Sequence, residues 1–143
     1  GEMRGLILLF CALAAGCASG VIYAPAPDTT VNPKEAALIN GAYLPYGVYF
    51  TAVSQYDGHS ARVVVLSYVG SKMLDMSVTP EEVRVYYKVP RLPSRAVAAF
   101  GRFARAELFT FCPNKEMKYY DAKSRGTFEA EAAGGVQCPQ KPL

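Results

Sequence analysis

The residues that could carry acid–base chemistry are few and isolated. His59 is the only histidine of the chain and lies two positions after Asp57, and an unperturbed imidazole titrates near neutral pH. Glu81 and Glu82 are adjacent carboxylates, but neighbouring residues of an extended segment point in opposite directions. The sequence contains no nucleophile elbow, glycine-rich phosphate loop or metal-ligand cluster. It therefore predicts no catalytic residue, no metal site, no cofactor and no enzymatic activity.

A short apolar segment near the N-terminus has the layout of a secretory signal. Met3 and Arg4 precede an apolar run of ten residues, Leu6 to Ala15, and one positive charge before a short hydrophobic core is typical of such signals. A membrane-spanning helix needs roughly 20 apolar residues, about twice this length. We therefore expect residues 1–16 to be a signal peptide that starts in effect at Met3, and no membrane-spanning anchor.

The end of this run, Leu13-Ala14-Ala15-Gly16-Cys17, resembles the lipobox of bacterial lipoproteins. In that family the cysteine thiol receives a diacylglycerol, a peptidase cleaves before it, and the new amino group is usually acylated. The resemblance implies that Cys17 is lipidated and becomes the first residue of the mature protein. Ala18 stands where an aspartate would signal retention at the inner membrane, so the resemblance favours the periplasmic face of the outer membrane.

The extracytoplasmic location implied by the lipobox bears on two later cysteines. Cys112 and Cys138 remain once Cys11 is removed and Cys17 is lipidated. Disulfides persist in oxidising compartments, so we expect these two to pair, with two free thiols as the alternative. Two cysteines and one distant histidine do not make a zinc site.

Four arginines are concentrated in fifteen residues: Arg91, Arg95, Arg102 and Arg105. They can form a solvated helix face, or they can contact an anionic surface such as lipid headgroups or an acidic partner. Nucleic acid is excluded as a partner by the expected compartment.

Ten tyrosines without any tryptophan are the other unusual feature. Six of them fall in the region predicted to form a sheet: Tyr43, Tyr46, Tyr49, Tyr68, Tyr86 and Tyr87. They can pair across strands in an ordinary core, or they can line an amphipathic groove that holds an acyl chain or a peptide.

The elements that must position these residues begin after a tether. Residues 17–31 are expected to form the lipid anchor and an extended linker without a packing role. Asn32 can cap a short helix predicted over 33–40, with Pro33 at its first position and Gly41 beyond its end.

An alternating pattern then predicts an antiparallel meander of four strands. Asp57-Gly58 is a short hairpin signal after the first strand. A two-residue turn at Gly70-Ser71 predicts a register that pairs Val63 with Val78, Val65 with Met76, and Ser67 with Leu74. Two further strand-like segments follow at 117–122 and 126–132.

A helix predicted over 94–111 is expected to cover one face of this sheet. Val97, Phe100, Ala104 and Leu108 recur at helical spacing. The other face is less polar than a solvated face should be, which suggests a ligand or a covering element. The residues that we expect to contact an apolar ligand are Val64, Leu66, Tyr68, Met73 and Phe100.

The middle of the chain is similar to the LolA/LolB-like lipoprotein carriers. The matching pieces are residues 63–70, residues 78–83 with Thr79-Pro80-Glu81-Glu82, and Leu92-Pro93. That family folds as a curved antiparallel half-barrel closed by helices and holds lipoprotein acyl chains in its cavity. The present chain has fewer predicted strands, and no binding residue is carried over from the family.

Together these patterns predict an α+β domain over 32–143, in which an antiparallel β-meander, flat or curved into a half-barrel, packs against one long amphipathic helix. At 143 residues with 19% charged side chains, the chain can form one compact unit. The expected function is a lipid-anchored protein whose periplasmic domain binds an apolar ligand such as an acyl chain. The alternative is a structural accessory subunit bound to a protein partner in the cell envelope.

Overall fold

The computed structural model describes residues 20–27, 30–109, 113 and 115–133. This part of the chain forms eight strands, one α-helix and a single 3-10 turn. The strands are β1 (Val21–Tyr23), β2 (Ala37–Leu44), β3 (Val48–Tyr56), β4 (Ala61–Ser67), β5 (Lys72–Val78), β6 (Val83–Lys88), β7 (Glu116–Asp121) and β8 (Gly126–Ala132); the helix is α1 (Ser94–Glu107) and the 3-10 turn is Pro33–Glu35.

The strands form one open, mixed sheet in the order β1-β6-β5-β4-β3-β2-β8-β7. β1 runs parallel to β6, and the other neighbouring strands are antiparallel. One face of the sheet packs against α1. The predicted α+β class is thus confirmed, although the sheet is mixed, has more strands than expected, and packs against a helix of only 14 residues.

The sheet curves around α1. A Cβ atom on Gly101 would lie 2.6 Å from a methyl carbon of Val83 in β6, while the next residue, Arg102, binds Asp121 of β7. β6 and β7 are six places apart in the sheet, which would separate them by roughly 29 Å if the sheet were flat. Because adjacent helix residues reach both strands, the face toward α1 is concave and the opposite face is convex.

The core fills the concave face. Phe103 and Phe100 of α1 pack on Phe128 of β8 with ring centroids 4.6 and 5.0 Å apart, and Phe50 of β3 lies 5.1 Å from Phe100. All four rings are buried. Burying such a side chain contributes about 1.5–3 kcal/mol, so this cluster holds the helix in the curved sheet.

The expected linker contributes a strand. Residues Val21–Tyr23 add to the edge of the sheet beside β6, with Val21 opposite Val83 and Tyr23 opposite Val85. The expectation of a tether without a packing role is therefore wrong for this segment, because an open edge of β6 offers backbone partners that composition does not reveal.

The helix predicted over 33–40 is wrong. Asn32 does cap a turn, accepting a hydrogen bond from the Lys34 backbone nitrogen at 3.1 Å, but only Pro33–Glu35 is helical. The chain then enters β2, where Ala37 and Ile39 are buried and the alternate residues Leu38 and Asn40 are exposed. β2 hydrogen-bonds to β3 on one side and β8 on the other, and these distant partners override the local helix signal.

The hairpin at Asp57-Gly58 is confirmed, since β3 and β4 pair on either side of it. The predicted register between β4 and β5 is wrong by two residues: Val63 lies opposite Met76, not Val78, and Val65 opposite Leu74. The turn between them is longer than two residues, because the Ser67 nitrogen donates to the Ser71 oxygen. A bulge follows, and an even shift keeps the same side chains on the concave face.

Within the described ranges, no helix has both the length and the apolar character needed to cross a membrane.

Candidate functional site

One end of the curved sheet opens into a groove of about 400 Å³, which we call the tyrosine groove. It lies between the β2–β3 turn, the β4–β5 turn and residues 89–93, which connect β6 to α1. Its apolar lining is Val48, Met73, Val89, Leu92, Pro93 and Ala96; its tyrosines are Tyr43, Tyr46, Tyr49 and Tyr68; the other lining residues are Gly47, Ser67, Arg91 and Arg95.

The β4–β5 turn places Tyr68 and Met73 on one wall of the groove. The Gly70 nitrogen donates to the Ser67 oxygen at 2.8 Å, and Gly70 adopts a positive φ of 88° that favours glycine. The bulge after this turn directs Met73 into the interior, where it is 7% exposed. Tyr68 stays outside at the rim and is 86% exposed.

The segment from β6 to α1 forms the opposite wall and is held by hydrogen bonds of its backbone and of Lys88. The Val89 nitrogen donates to the Met73 oxygen at 2.9 Å, and the Leu92 nitrogen donates to the Val89 oxygen at 3.0 Å. Lys88 donates from Nζ to the Leu92 oxygen at 2.8 Å. The groove wall is therefore a fixed part of the fold.

Tyr43 forms the floor, where the groove meets the core. Its ring stacks on Phe128 with centroids 4.4 Å apart and lies 4.9 Å from the ring of Tyr46. Burial raises the pKa of Tyr43, and a hydrogen bond with Ser124 partly offsets this. The Tyr46 hydroxyl donates to the Ser124 carbonyl. The raised pKa keeps the Tyr43 phenol neutral at physiological pH, and the two rings give the floor an apolar surface with hydroxyl groups at its edge.

The charges on the groove are all positive. Arg91 and Arg95 are exposed, and neither forms an ion pair or a hydrogen bond with another residue that the structure describes. No aspartate or glutamate is among the lining residues. The groove thus combines an apolar interior with two available guanidinium groups at its rim.

The other two predicted surface arginines serve the fold. Arg102 binds Asp121 in a bidentate pair, Nε to Oδ1 at 2.6 Å and Nη2 to Oδ2 at 2.9 Å. Arg105 donates from Nε to the Thr79 oxygen at 3.0 Å. The structure therefore divides the four arginines into two structural residues and two at the groove, because partners distant in sequence, Asp121 and Thr79, occupy Arg102 and Arg105.

Asp121 is buried at the end of β7. Ser124 donates to its Oδ2 from the hydroxyl at 2.6 Å and from the backbone nitrogen at 3.1 Å. The Arg102 guanidinium, followed by these bonds, lowers the pKa of the Asp121 carboxyl to about 2. This cluster fixes the β7–β8 turn, whose Ser124 carbonyl holds the hydroxyl of Tyr46.

The structure does not bring the five predicted ligand contacts together. Met73 and Tyr68 line the tyrosine groove, whereas Phe100 is in the core. Val64 and Leu66 are half-buried on the convex face, because β4 directs alternate side chains to opposite faces and its odd-numbered residues fill the core. The five residues therefore do not line one groove in the described structure, and their contact with a ligand stays a prediction.

The tyrosines divide in a similar way. Four of the six line the groove. Tyr86 instead lies under the Arg62 guanidinium, 4.8 Å from it, on the convex face, and Tyr87 is exposed on β6.

The residues considered for acid–base chemistry lie in turns at the opposite end of the sheet. Asp57 Oδ1 accepts hydrogen bonds from the backbone nitrogens of His59 at 2.8 Å and Ser60 at 2.7 Å, and these bonds lower the pKa of Asp57. Glu82 pairs with Arg84 at 3.1 Å, while Glu81 is exposed.

Cys17, Cys112 and Cys138 lie outside the described residues, so the lipidation and the disulfide stay predictions. Among the residues that are described, no group of three or more histidine, cysteine, aspartate or glutamate side chains could hold a metal ion.

Sequence reasoning missed the apolar wall formed by Val48, Val89 and Leu92. Val48 and Val89 lie in segments whose pattern predicts ordinary strand residues, and Leu92-Pro93 is predicted as a piece of the family resemblance without a role in binding. The available signal was the position of tyrosines beside turn glycines, since Tyr46 precedes Gly47 and Tyr68 lies two positions before Gly70.

Comparison of the chain with protein-family models, with curated proteins and with solved structures finds no match in any of the three. Function must therefore be inferred from the chain's own residues.

Proposed function

We propose that this protein is a binding module that holds an apolar ligand, such as an acyl chain, in the tyrosine groove, and that it acts without catalysing a reaction. The observation that carries the proposal is the groove itself, whose lining is mostly apolar and aromatic around a volume of about 400 Å³. Sites for small ligands are typically concave, apolar and roughly 300–1,000 Å³ in volume.

The walls and floor of the groove are held in place by other residues, which favours a ligand site over a gap left by incomplete packing. Met73 and Leu92 reach into the groove from walls closed by backbone hydrogen bonds. Beneath them, Tyr43 is fixed between Phe128 and Tyr46. A preformed apolar site of this kind binds without first ordering its own loops, which favours affinity.

The setting of this module is part of the proposal. On the resemblance of residues 13–17 to a lipobox, we propose that Cys17 carries a diacylglycerol anchor and that the domain lies at the periplasmic face of the outer membrane. We further propose that Cys112 and Cys138 pair there. Several acyl chains on one residue give stable membrane attachment, since each buried methylene contributes about 0.8 kcal/mol.

The anchor is tested by substituting Cys17→Ser. We expect the variant to lose labelling by radioactive palmitate and to leave the membrane fraction. A variant that is still labelled and fully membrane-bound would refute lipidation at this residue.

Ligand binding is tested with a fluorescent fatty acid and two matched substitutions in β3. Val48 faces the groove, and Val53 faces the convex side of the same strand; both are half-buried. We expect Val48→Phe to fill part of the groove and to weaken binding of the fluorescent fatty acid about tenfold, equivalent to about 1.4 kcal/mol. The affinity of Val53→Phe should stay within about twofold of that of the parent. Equal effects of the two substitutions, or no binding by the parent, would reject the proposal.

A structural accessory subunit is the second candidate, and one observation favours it. Val53, Val64 and Leu66 are half-buried on the convex face, and Leu38 beside them is 39% exposed. Apolar residues that cluster on a surface often mark a protein contact. Under this candidate, Leu38→Lys combined with Leu66→Lys would release the protein from a larger envelope complex on native gels and leave fatty-acid binding intact.

A further inference from the structure

We infer that the ligand of the tyrosine groove is a single-chain anionic amphiphile, whose carboxylate or phosphate head lies between Arg91 and Arg95 and whose chain enters the groove. This inference rests on the proposed function and specifies its ligand class.

The first step is the state of the arginines. Away from the groove, four arginines have partners: Arg62 with Asp75, Arg84 with Glu82, Arg102 with Asp121 and Arg105 with the Thr79 carbonyl. Among the described residues, Arg125 in the β7–β8 turn is exposed without such a partner, but it does not line a groove. Arg91 and Arg95 border the groove without a partner among the described residues. The chain thus leaves two guanidinium groups available at the site that is shaped for a ligand.

The second step is the sign of the local charge. The groove lining contains two arginines and no carboxylate. A second, shallower depression on the sheet has the opposite character, since it is lined by Glu116, Glu129 and Glu131 with one lysine. Charge complementarity therefore directs an anion to the tyrosine groove and a cation away from it.

The third step is the division between rim and interior. Arg91 and Arg95 are exposed, whereas Met73, Leu92 and Ala96 are buried in the same groove. A guanidinium group binds a carboxylate or a phosphate through paired hydrogen bonds, and the buried side chains offer only apolar contact. A molecule with one charged end and one apolar chain satisfies both parts, and the volume of about 400 Å³, near the lower limit of ligand sites, favours one chain over several.

The test uses the full chain carrying Cys17→Ser, so that no attached acyl group competes. Binding of myristate is compared with binding of its uncharged methyl ester, both below the concentrations at which they aggregate. We expect myristate to bind at least about tenfold more tightly than its methyl ester. We also expect high salt to weaken the binding of myristate and not that of the ester, because salt screens exposed charges.

The decisive variant is Arg91→Gln combined with Arg95→Gln, with Arg125→Gln as the matched control. Arg125 is exposed at the same end of the sheet and is not a lining residue. We expect the double variant to lose the preference for the acid over the ester and the control to behave as the parent. Equal binding of acid and ester by the parent, or an unaffected double variant, would overturn the anionic ligand while leaving the proposed function in place.

Two further measurements distinguish an amphiphile site from a site for free anions and from a contact with a membrane surface. Inorganic phosphate at millimolar concentration should fail to displace myristate, because it lacks the chain; displacement by phosphate would indicate a site for free anions and overturn the inference. Sedimentation with phosphatidylglycerol vesicles without binding of myristate would identify a membrane contact instead. Failure to bind both the acid and the ester would refute the proposed function itself.

Discussion

The two ends of the curved sheet use their polar side chains in different ways. At the closed end, where β3 turns into β4 and β5 into β6, Asp57 accepts hydrogen bonds from its own loop and Thr79 Oγ1 accepts one from the Glu82 nitrogen at 3.1 Å. Arg105 of α1 binds the Thr79 carbonyl, and Tyr56 stacks on Phe109 at 5.5 Å. At the groove end, Arg91, Arg95 and Tyr68 are exposed.

This difference shows which charges the fold needs. The closed end joins its turns to the helix through a side chain in contact with the backbone, so its arginine contributes to stability. At the groove end, the wall formed by residues 89–93 is held by backbone hydrogen bonds and by Lys88. Arg91 and Arg95 can therefore be changed without weakening the fold, which is what a binding surface requires.

The largest expected difference between the two ends is in the loss of stability when one leucine side chain is removed at each end. Leu108 is 1% exposed at the closed end, and Leu92 is 5% exposed in the groove wall. We expect Leu108→Ala to lower the free energy of unfolding by about 3 kcal/mol, as for a fully enclosed leucine. Leu92→Ala should lower it by roughly half as much, because the groove already leaves one side of this residue open.

Urea denaturation followed by circular dichroism measures both changes. Equal losses for the two variants would mean that the groove wall is packed as tightly as the closed end.

The next prediction concerns how stability depends on pH through Asp121, which binds Arg102 and Ser124 at the base of the groove end. The pKa of Asp121 is lowered to about 2 in the folded protein, from 3.8. A lowered pKa stabilises the fold above the unfolded value, and this contribution is lost as pH falls from about 4 toward 2. The expected loss is about 2 kcal/mol.

Denaturation curves between pH 6 and pH 2 should therefore differ between the parent and Asp121→Asn, with a smaller acid loss in the variant. The same acid loss in both proteins would assign the effect to other carboxylates.

The smallest expected difference is in the loss of stability when two arginines of the same helix are replaced. Arg105→Gln removes the hydrogen bond to the Thr79 carbonyl and should lower stability by about 1 kcal/mol. Arg95→Gln breaks no contact in the described part of the chain and should change stability by less than about 0.5 kcal/mol. Thermal unfolding of the two variants measures the difference, and a larger loss for Arg95→Gln would contradict the division of the arginines.

The strands with clear alternation and local turns could be predicted from the sequence. The β3–β4 hairpin, the strands at 116–121 and 126–132, and α1 all follow from spacing and turn residues within a short stretch. β2 could not be predicted, because its hydrogen bonds come from β3 and from β8, which begins more than eighty residues later. The register of β5 depends on a bulge, and no residue type in Lys72–Val78 signals it.

The candidate site was predictable in its components and not in its assembly. Tyr68, Met73, Arg91 and Arg95 were each singled out from the sequence, but for two unrelated roles. Their meeting depends on the turn after β4 and the segment after β6 reaching the same end of the sheet. The separation of Arg102 from this set depends on Asp121, nineteen positions away, which spacing alone does not reveal.

The parallel pairing of β1 with β6 sets a direction for the whole domain. Val21 lies beside Val83, at the closed end, and it follows Cys17 by four positions, a span of at most about 14 Å. A protein fastened to a leaflet through Cys17 would stand on its closed end, with the mouth of the groove raised by roughly 20 Å, the length of a six-residue strand. The ligand would then enter the groove from the aqueous side, at the end of the domain that faces away from the anchoring bilayer.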